Sequence, residues 1–243
     1  MFTLDEVKLK ARRNNNDSNK RLHFFASHFS IYFSWIFINL RLSANAVTGI
    51  FFVTGLCGAV LFSYSDPLSI FIAYSLWRLH IIFDICDGEV ARFTQKFSIN
   101  GAYWDYMIHS ILYPLTYVSI CFALYGKFNN NAFLIIGLVG SIIVSQVLSV
   151  KNNYYRAMLF NGIQIDNSRS VSQASALKSY IVNIFVGLFN IEGFLLAYLL
   201  LSLMKSSSEI YLYFVAIYTF SFALQVFIKF FLFSKKGFYT RRS

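Results

Sequence analysis

The sequence predicts an all-α, polytopic membrane protein with six transmembrane helices and an N-terminal interfacial amphipathic helix. Three observations carry that prediction. Of 243 residues, 57% are hydrophobic and 13% charged, with a mean hydropathy of +0.55. Apolar runs recur at the length needed to cross roughly 30 Å of hydrocarbon as helix, and helix is the fold that leaves no backbone group unpaired in lipid. The 21 Lys and Arg against 11 Asp and Glu are distributed unevenly between alternate connections, as topology requires.

The six expected spans are Asn45 to Phe62, Leu68 to Cys86, Asp105 to Tyr125, Ala132 to Val150, Tyr180 to Met204 and Ile210 to Leu232. Ahead of them, residues 1–21 form a basic and polar segment expected to be mobile, with Asn14 to Asn16 followed by Asp17, Ser18 and Asn19. Residues 22–41 are apolar but interrupted by His23, Ser27, His28, Ser30, Ser34 and Asn39, and they are bracketed by Arg21 and Arg41. That pattern predicts a helix lying in the membrane interface. Residues 42–234 make the transmembrane domain, and 235–243 a cytoplasmic tail. No cleavable signal peptide is expected, because seven cations precede the first firm span.

Seven cations lie up to Arg41, two in the second connection, four in 151–179 and four in the tail, so 17 of the 21 fall on one side. The positive-inside rule therefore predicts a multi-pass protein of the cell membrane with both termini in the cytoplasm. The formal charge of +10 has its explanation there and in attraction to anionic membrane lipids, and nucleic acid is not an expected partner. Cys57, Cys86 and Cys121 stand in apolar stretches without ligand spacing and are expected as small apolar residues. Among intramembrane charges, Glu192 is a candidate partner for Arg78 or Lys229.

Polar residues concentrate where the second span ends and the third begins. Asp84, Asp87 and Ala91 share one helical face, and Asp105 and His109 stand one turn apart on the next helix. A short connection makes the two helices antiparallel neighbours, so the acids and the imidazole meet. Caps or ion pairs with Arg78 and Arg92 account for one acid per helix end but leave the shared face unexplained. Several carboxylates facing each other at a membrane surface need a cation, and hard divalent ions such as Mg²⁺ or Mn²⁺ prefer oxygen ligands together with substrate phosphates.

Written out, the segment reads Asp84-x2-Asp87-Gly88-x2-Ala91-Arg92-x8-Gly101-x3-Asp105-x3-His109. It resembles the signature of the CDP-alcohol phosphatidyltransferase family of integral membrane enzymes, with His109 where the family usually has a fourth aspartate. The start of the first span, Ala44-Asn45-Ala46-Val47-Thr48, resembles the family's Pro-Asn-x-x-Thr stretch with Ala44 in place of proline. The resemblance implies transfer of a phospho-alcohol group from a CDP-alcohol, CDP-diacylglycerol above all, to an acceptor alcohol or polyol, with or without a phosphate of its own, and release of CMP. It implies Asp84, Asp87, Asp105 and His109 as metal ligands, and His109 and Asp105 as catalytic residues. Asn45, Thr48, Gly88, Ala91, Arg92 and Gly101 would hold nucleotide and phosphate. Residues 42–234 would be the catalytic domain, its active site cytoplasmic, and homodimers are frequent in the family. His109 is open to roles as base or ligand, or as the mark of a non-catalytic member. His80, one turn before Asp84, is open to a role beside a metal-binding carboxylate or as an ordinary helix-interface histidine. A membrane transporter that binds a cation at these acids is the alternative from another class, and it is disfavoured because the acids cluster at one side.

Overall fold

A computed structural model describes residues 1–12, 24–161, 187–204 and 206–237. Every element among them is a helix: α1 (Leu4–Ala11), α2 (Phe24–Asn39), α3 (Ala44–Leu61), α4 (Pro67–Thr94), α5 (Ile99–Phe128), α6 (Ala132–Phe160), α7 (Ile191–Leu203) and α8 (Ser208–Gly237). Two compact units divide the chain, Met1–Leu112 and Tyr113–Ser243, with the boundary inside α5.

Among the described residues five helices are long and apolar enough to cross a membrane, namely α3, α4, α5, α6 and α8. The expected fifth span is not among these five. Residues 180–186 lie outside the described part, and α7 begins only at Ile191 because the Asn190 side chain accepts the Gly193 N–H at 2.9 Å and caps it there. Its 13 residues rise about 20 Å, short of the hydrocarbon thickness.

Local chemistry sets the other helix ends. In the first unit, Ser43 caps α3 by accepting from the Ala46 N–H. Asp66 caps α4 by accepting from Ser69 at 2.9 Å, and Pro67 takes the first position, where a missing N–H costs nothing. That bond holds the Asp66 carboxyl below the usual carboxylate range. α4 ends at Gln95, whose φ of 54° is left-handed. The Ser98 hydroxyl then accepts from Gly101 at 2.9 Å in the first turn of α5, so Gln95 to Ser98 complete the turn between the two helices.

α4 is the spine of this unit and packs against α3, α2 and α1. Gly55 of α3 permits the closest approach, since a Cβ there would lie 2.5 Å from Leu112 Cδ1 and 2.7 Å from His80 Nδ1. On the other side of α4, Ser30 and Ser34 of α2 are fully buried and donate to Glu89 at 3.0 and 2.6 Å.

The expectation of a mobile segment before residue 21 is corrected over its first twelve residues, while 13–20 lie outside the described part. Thr3 and Glu6 form a reciprocal capping box that starts α1. Val7 and Ala11 are fully buried in a cluster with Ile31, Phe37, Ile38, Val47, Cys86 and Val90.

In the second unit α6 packs on α8. The Tyr117 hydroxyl donates to the Val215 carbonyl at 3.2 Å and lies 2.6 Å from Thr219 Oγ1. Phe194 stacks on Phe214 at 5.0 Å, and Gln225 donates to the Phe189 carbonyl at 2.7 Å. Lys229 donates to the Val147 carbonyl at 3.2 Å. α6 runs to Phe160, which makes the first ten residues of the expected 151–179 connection helical, and 162–179 lie outside the described part.

Candidate active site

α4 and α5 bring the polar motif together at the C-terminal end of one and the N-terminal end of the other. His109 Nε2 lies 3.1 Å from Asp105 Oδ1, one turn back on α5, and 3.5 Å from Asp84 Oδ1 on α4. One ligand atom from each of Asp84, Asp105 and His109 can be chosen so that all lie within 4.8 Å of one another. All three side chains are partly buried.

Two carboxylate oxygens and an imidazole nitrogen this close are held together by a proton on Nε2, which then donates, or by a metal ion. The spacing fits an ion: oxygen and nitrogen ligands bound at about 2.1 Å stand about 3 Å apart when adjacent in an octahedron. The donor set fits as well, since oxygen suits Mg²⁺ and the imidazole is better taken by Mn²⁺. Among the described residues these three form the group that could hold a metal ion.

Asp87 does not join that trio. Its Oδ2 accepts the Thr48 hydroxyl at 2.9 Å, with the Ala44 carbonyl 3.0 Å from the same hydroxyl. Thr48 is nearly fully buried, so α3 fixes one oxygen of Asp87. Asp87 instead lines a cleft of about 310 Å³ beside the trio, and Asp105 belongs to both.

The cleft gathers every residue expected to hold nucleotide or phosphate: Asn45, Thr48, Gly88, Ala91, Arg92 and Gly101. Gly88 matters for space, because a Cβ there would lie 3.1 Å from Arg92 Nη1. Asn45 Oδ1 accepts from Ser98 Oγ at 3.4 Å, which links the start of α3 to the start of α5.

Sequence reasoning missed part of the lining and most of the support. Lys96, Phe97 and Ser98 line the cleft within the short turn. Ser98, three residues before Gly101, was readable as a helix cap; the other two carry no signal of their own. Phe51 was also missed. Its carbonyl accepts from His80 Nδ1 at 2.9 Å, and its ring stacks on that of His109 with centroids 6.1 Å apart. His80 is fully buried, 5.5 Å from His109 between ring centroids, and its bond to Phe51 makes it a helix-interface histidine that helps set where His109 sits.

The sequence is similar to that of a curated protein. A "Bifunctional IPC transferase and DIPP synthase" from Archaeoglobus fulgidus is 32% identical to this chain over 98 residues, which are 36% of the chain and 19% of that protein. The chain therefore spans under a fifth of that curated relative. A family model described as CDP-alcohol phosphatidyltransferase matches residues 41–222, from the turn before α3 into α8. With well over half of its length matched, the chain belongs to the CDP-alcohol phosphatidyltransferase family, membrane transferases that act on CDP-alcohols.

Proposed function

We propose that the protein transfers a phosphatidyl group from CDP-diacylglycerol to the hydroxyl of an acceptor alcohol or polyol and releases CMP, in a reaction that depends on Mg²⁺ or Mn²⁺. The observation that carries the reading is the Asp84, Asp105 and His109 trio opening onto a cleft lined by Asn45, Thr48, Asp87 and Arg92. In the reaction, the acceptor oxygen bonds to the phosphorus that bears the alcohol. The bond from that phosphorus to the bridging oxygen breaks, CMP keeps the oxygen, and the hydroxyl proton passes to a base.

The residues divide the work by chemistry. A divalent ion held by Asp84, Asp105 and His109 would supply positive charge against the diphosphate and the departing CMP. Arg92 and Lys96 bring cations to the same cleft and bind phosphate. Gly88 and Ala91 leave α4 without bulk where the nucleotide lies, and Asn45 offers amide hydrogen bonds to it. His109 turns Nε2 toward both carboxylates, and one lone pair cannot hold an ion and accept a proton at once. His109 is therefore the ligand, and the proton goes to the second oxygen of Asp105, since a carboxylate has one to spare. The excess of Lys and Arg on the side that carries Arg92 and Lys96 supports a cleft that opens to the cytoplasm, with both termini on that side.

The test is CMP release by the purified protein from CDP-diacylglycerol in a lipid extract, with and without Mg²⁺ or Mn²⁺. Release is expected only with metal, and the new lipid identifies the acceptor. His109→Ala is expected to weaken apparent metal affinity by about tenfold or more, while His109→Asp keeps turnover. Absence of CMP release across a panel of CDP-alcohols and acceptors would overturn the reading.

A further inference from the structure

We infer that α1, which lies outside the residues matched by the family, is a positioning element for the phosphate-binding arginine of the cleft: the backbone carbonyl of Ala11 fixes Arg92. The inference rests on the reading of the cleft as a nucleotide diphosphate site. Arg92 Nε donates to the Ala11 oxygen at 2.6 Å. The other end of the guanidinium lies against Gly88, with Nη1 and Nη2 3.1 and 3.7 Å from where a glycine Cβ would be, and Arg92 lines the cleft. Nε is thus held by α1, and the terminal nitrogens sit at the cleft end of the group.

The carbonyl suits the task. It belongs to the last residue of α1, where unpaired carbonyls carry the negative end of the helix dipole and attract a cation. α1 itself is held at both ends. The Phe2 carbonyl accepts from Trp35 Nε1 and the Phe2 N–H donates to Asn39 Oδ1, each at 2.8 Å. Val7 and Ala11 are fully buried. Phe93, next to Arg92, is gripped by the Phe2 ring at 5.0 Å and by the Lys10 ammonium at 5.7 Å. The contacts of Phe2 and Lys10 with Phe93 thus bring α1 to the residue next to Arg92, and the others hold α1 on α2. An arginine left to itself would lose rotamer freedom on meeting a phosphate, and α1 removes that loss beforehand.

The experiment uses the full-length protein in detergent with Mg²⁺, and measures CDP binding by calorimetry and steady-state kinetics for the CDP-alcohol. Val7→Asn puts an amide into the buried contact of α1. It is expected to weaken CDP binding and raise KM by about tenfold, as loss of a charge-assisted hydrogen bond would, with kcat within about twofold of wild type. Val7→Ile is expected to behave as wild type. In an Arg92→Lys background, where no Nε exists, Val7→Asn is expected to add nothing. Thr3→Ala, which removes the cap and spares every buried side chain, is expected to shift KM less in the same direction and keeps the test open should Val7→Asn not fold. Undiminished CDP binding in both α1 variants, or an equal further loss in the Arg92→Lys background, overturns the positioning role alone. Failure of the wild type to bind CDP overturns the reading of the cleft and takes this inference with it.

Discussion

Replacing Ser34 with alanine tests whether a carboxylate buried between α2 and α4 fastens the helix that carries the site. Glu89 is 4% exposed and accepts from Ser34 Oγ at 2.6 Å and from Ser30 Oγ at 3.0 Å, both serines being fully buried. A hydrogen bond to a charged group is worth about 1.5–3 kcal/mol, and the low dielectric between two helices favours the upper part of that range. The shorter Ser34 bond should therefore cost about 2.5 kcal/mol on deletion. In a Glu89→Gln background the acceptor is uncharged and the same deletion should cost about 1 kcal/mol. The difference, a coupling of about 1.5 kcal/mol, belongs to the carboxylate and not to the small volume removed. Reversible unfolding in mixed micelles with increasing dodecyl sulfate measures all four corners of the cycle. A Ser34→Ala protein within about 0.5 kcal/mol of wild type, or zero coupling, refutes the argument that Glu89 draws its stability from these hydroxyls.

Thr48→Val removes the donor to Asp87 Oδ2 while keeping the shape of the side chain; kcat/KM for CMP release is expected to fall about tenfold, and an unchanged value would mean that Asp87 needs no holding. The capping box gives a pH dependence. Accepting from the Thr3 backbone N–H, then from its side chain, holds the Glu6 carboxyl below its ordinary value, so its contribution is present above the unfolded pKa and is lost as pH falls through the folded one. Acidification below the ordinary glutamate range should therefore loosen α1, read as slower-to-faster amide exchange over residues 4–11, and Glu6→Gln should remove that pH step.

Long apolar runs were legible because hydropathy integrates over many residues, and α3, α4, α5, α6 and α8 all appear where those runs lie. Their polar extensions were not. α4 continues eight residues past Cys86 and α6 ten past Val150, since a helix ends where its backbone is capped and not where its side chains turn polar. Nor was Asn190, a polar residue within an apolar run, legible as the cap that starts α7. α1 was missed because an eight-residue helix with two buried positions offers too few points for periodicity, although its Thr3 to Glu6 capping box was in plain view. The trio of Asp84, Asp105 and His109 was legible because helical spacing and a short turn determine it. The partners of Glu89 were not, because Ser30 and Ser34 lie 59 and 55 residues away and read as interruptions in an apolar helix.

The last turns of α4 explain how one helix serves the cleft and its own anchorage. At about 100° per residue, and taking Asp84 as the origin, Asp87, Ala91 and Gly88 fall within about 60° of it. Glu89, Phe93, Cys86 and Val90 fall in a sector from about 140° to about 240°, on the opposite side. The first group lines the cleft or joins the trio, and the second meets α2 and α1. Arg92 projects at about 80°, between the two, which is why its Nε reaches Ala11 while its terminal nitrogens lie over Gly88. A substitution on the anchoring side can change the register or rotation of α4 without touching the cleft, and rotation by half of one residue's angle would carry Asp84 away from His109. The buried carboxylate and the first helix therefore bear on the same quantity, the angle at which α4 presents its acids to α5.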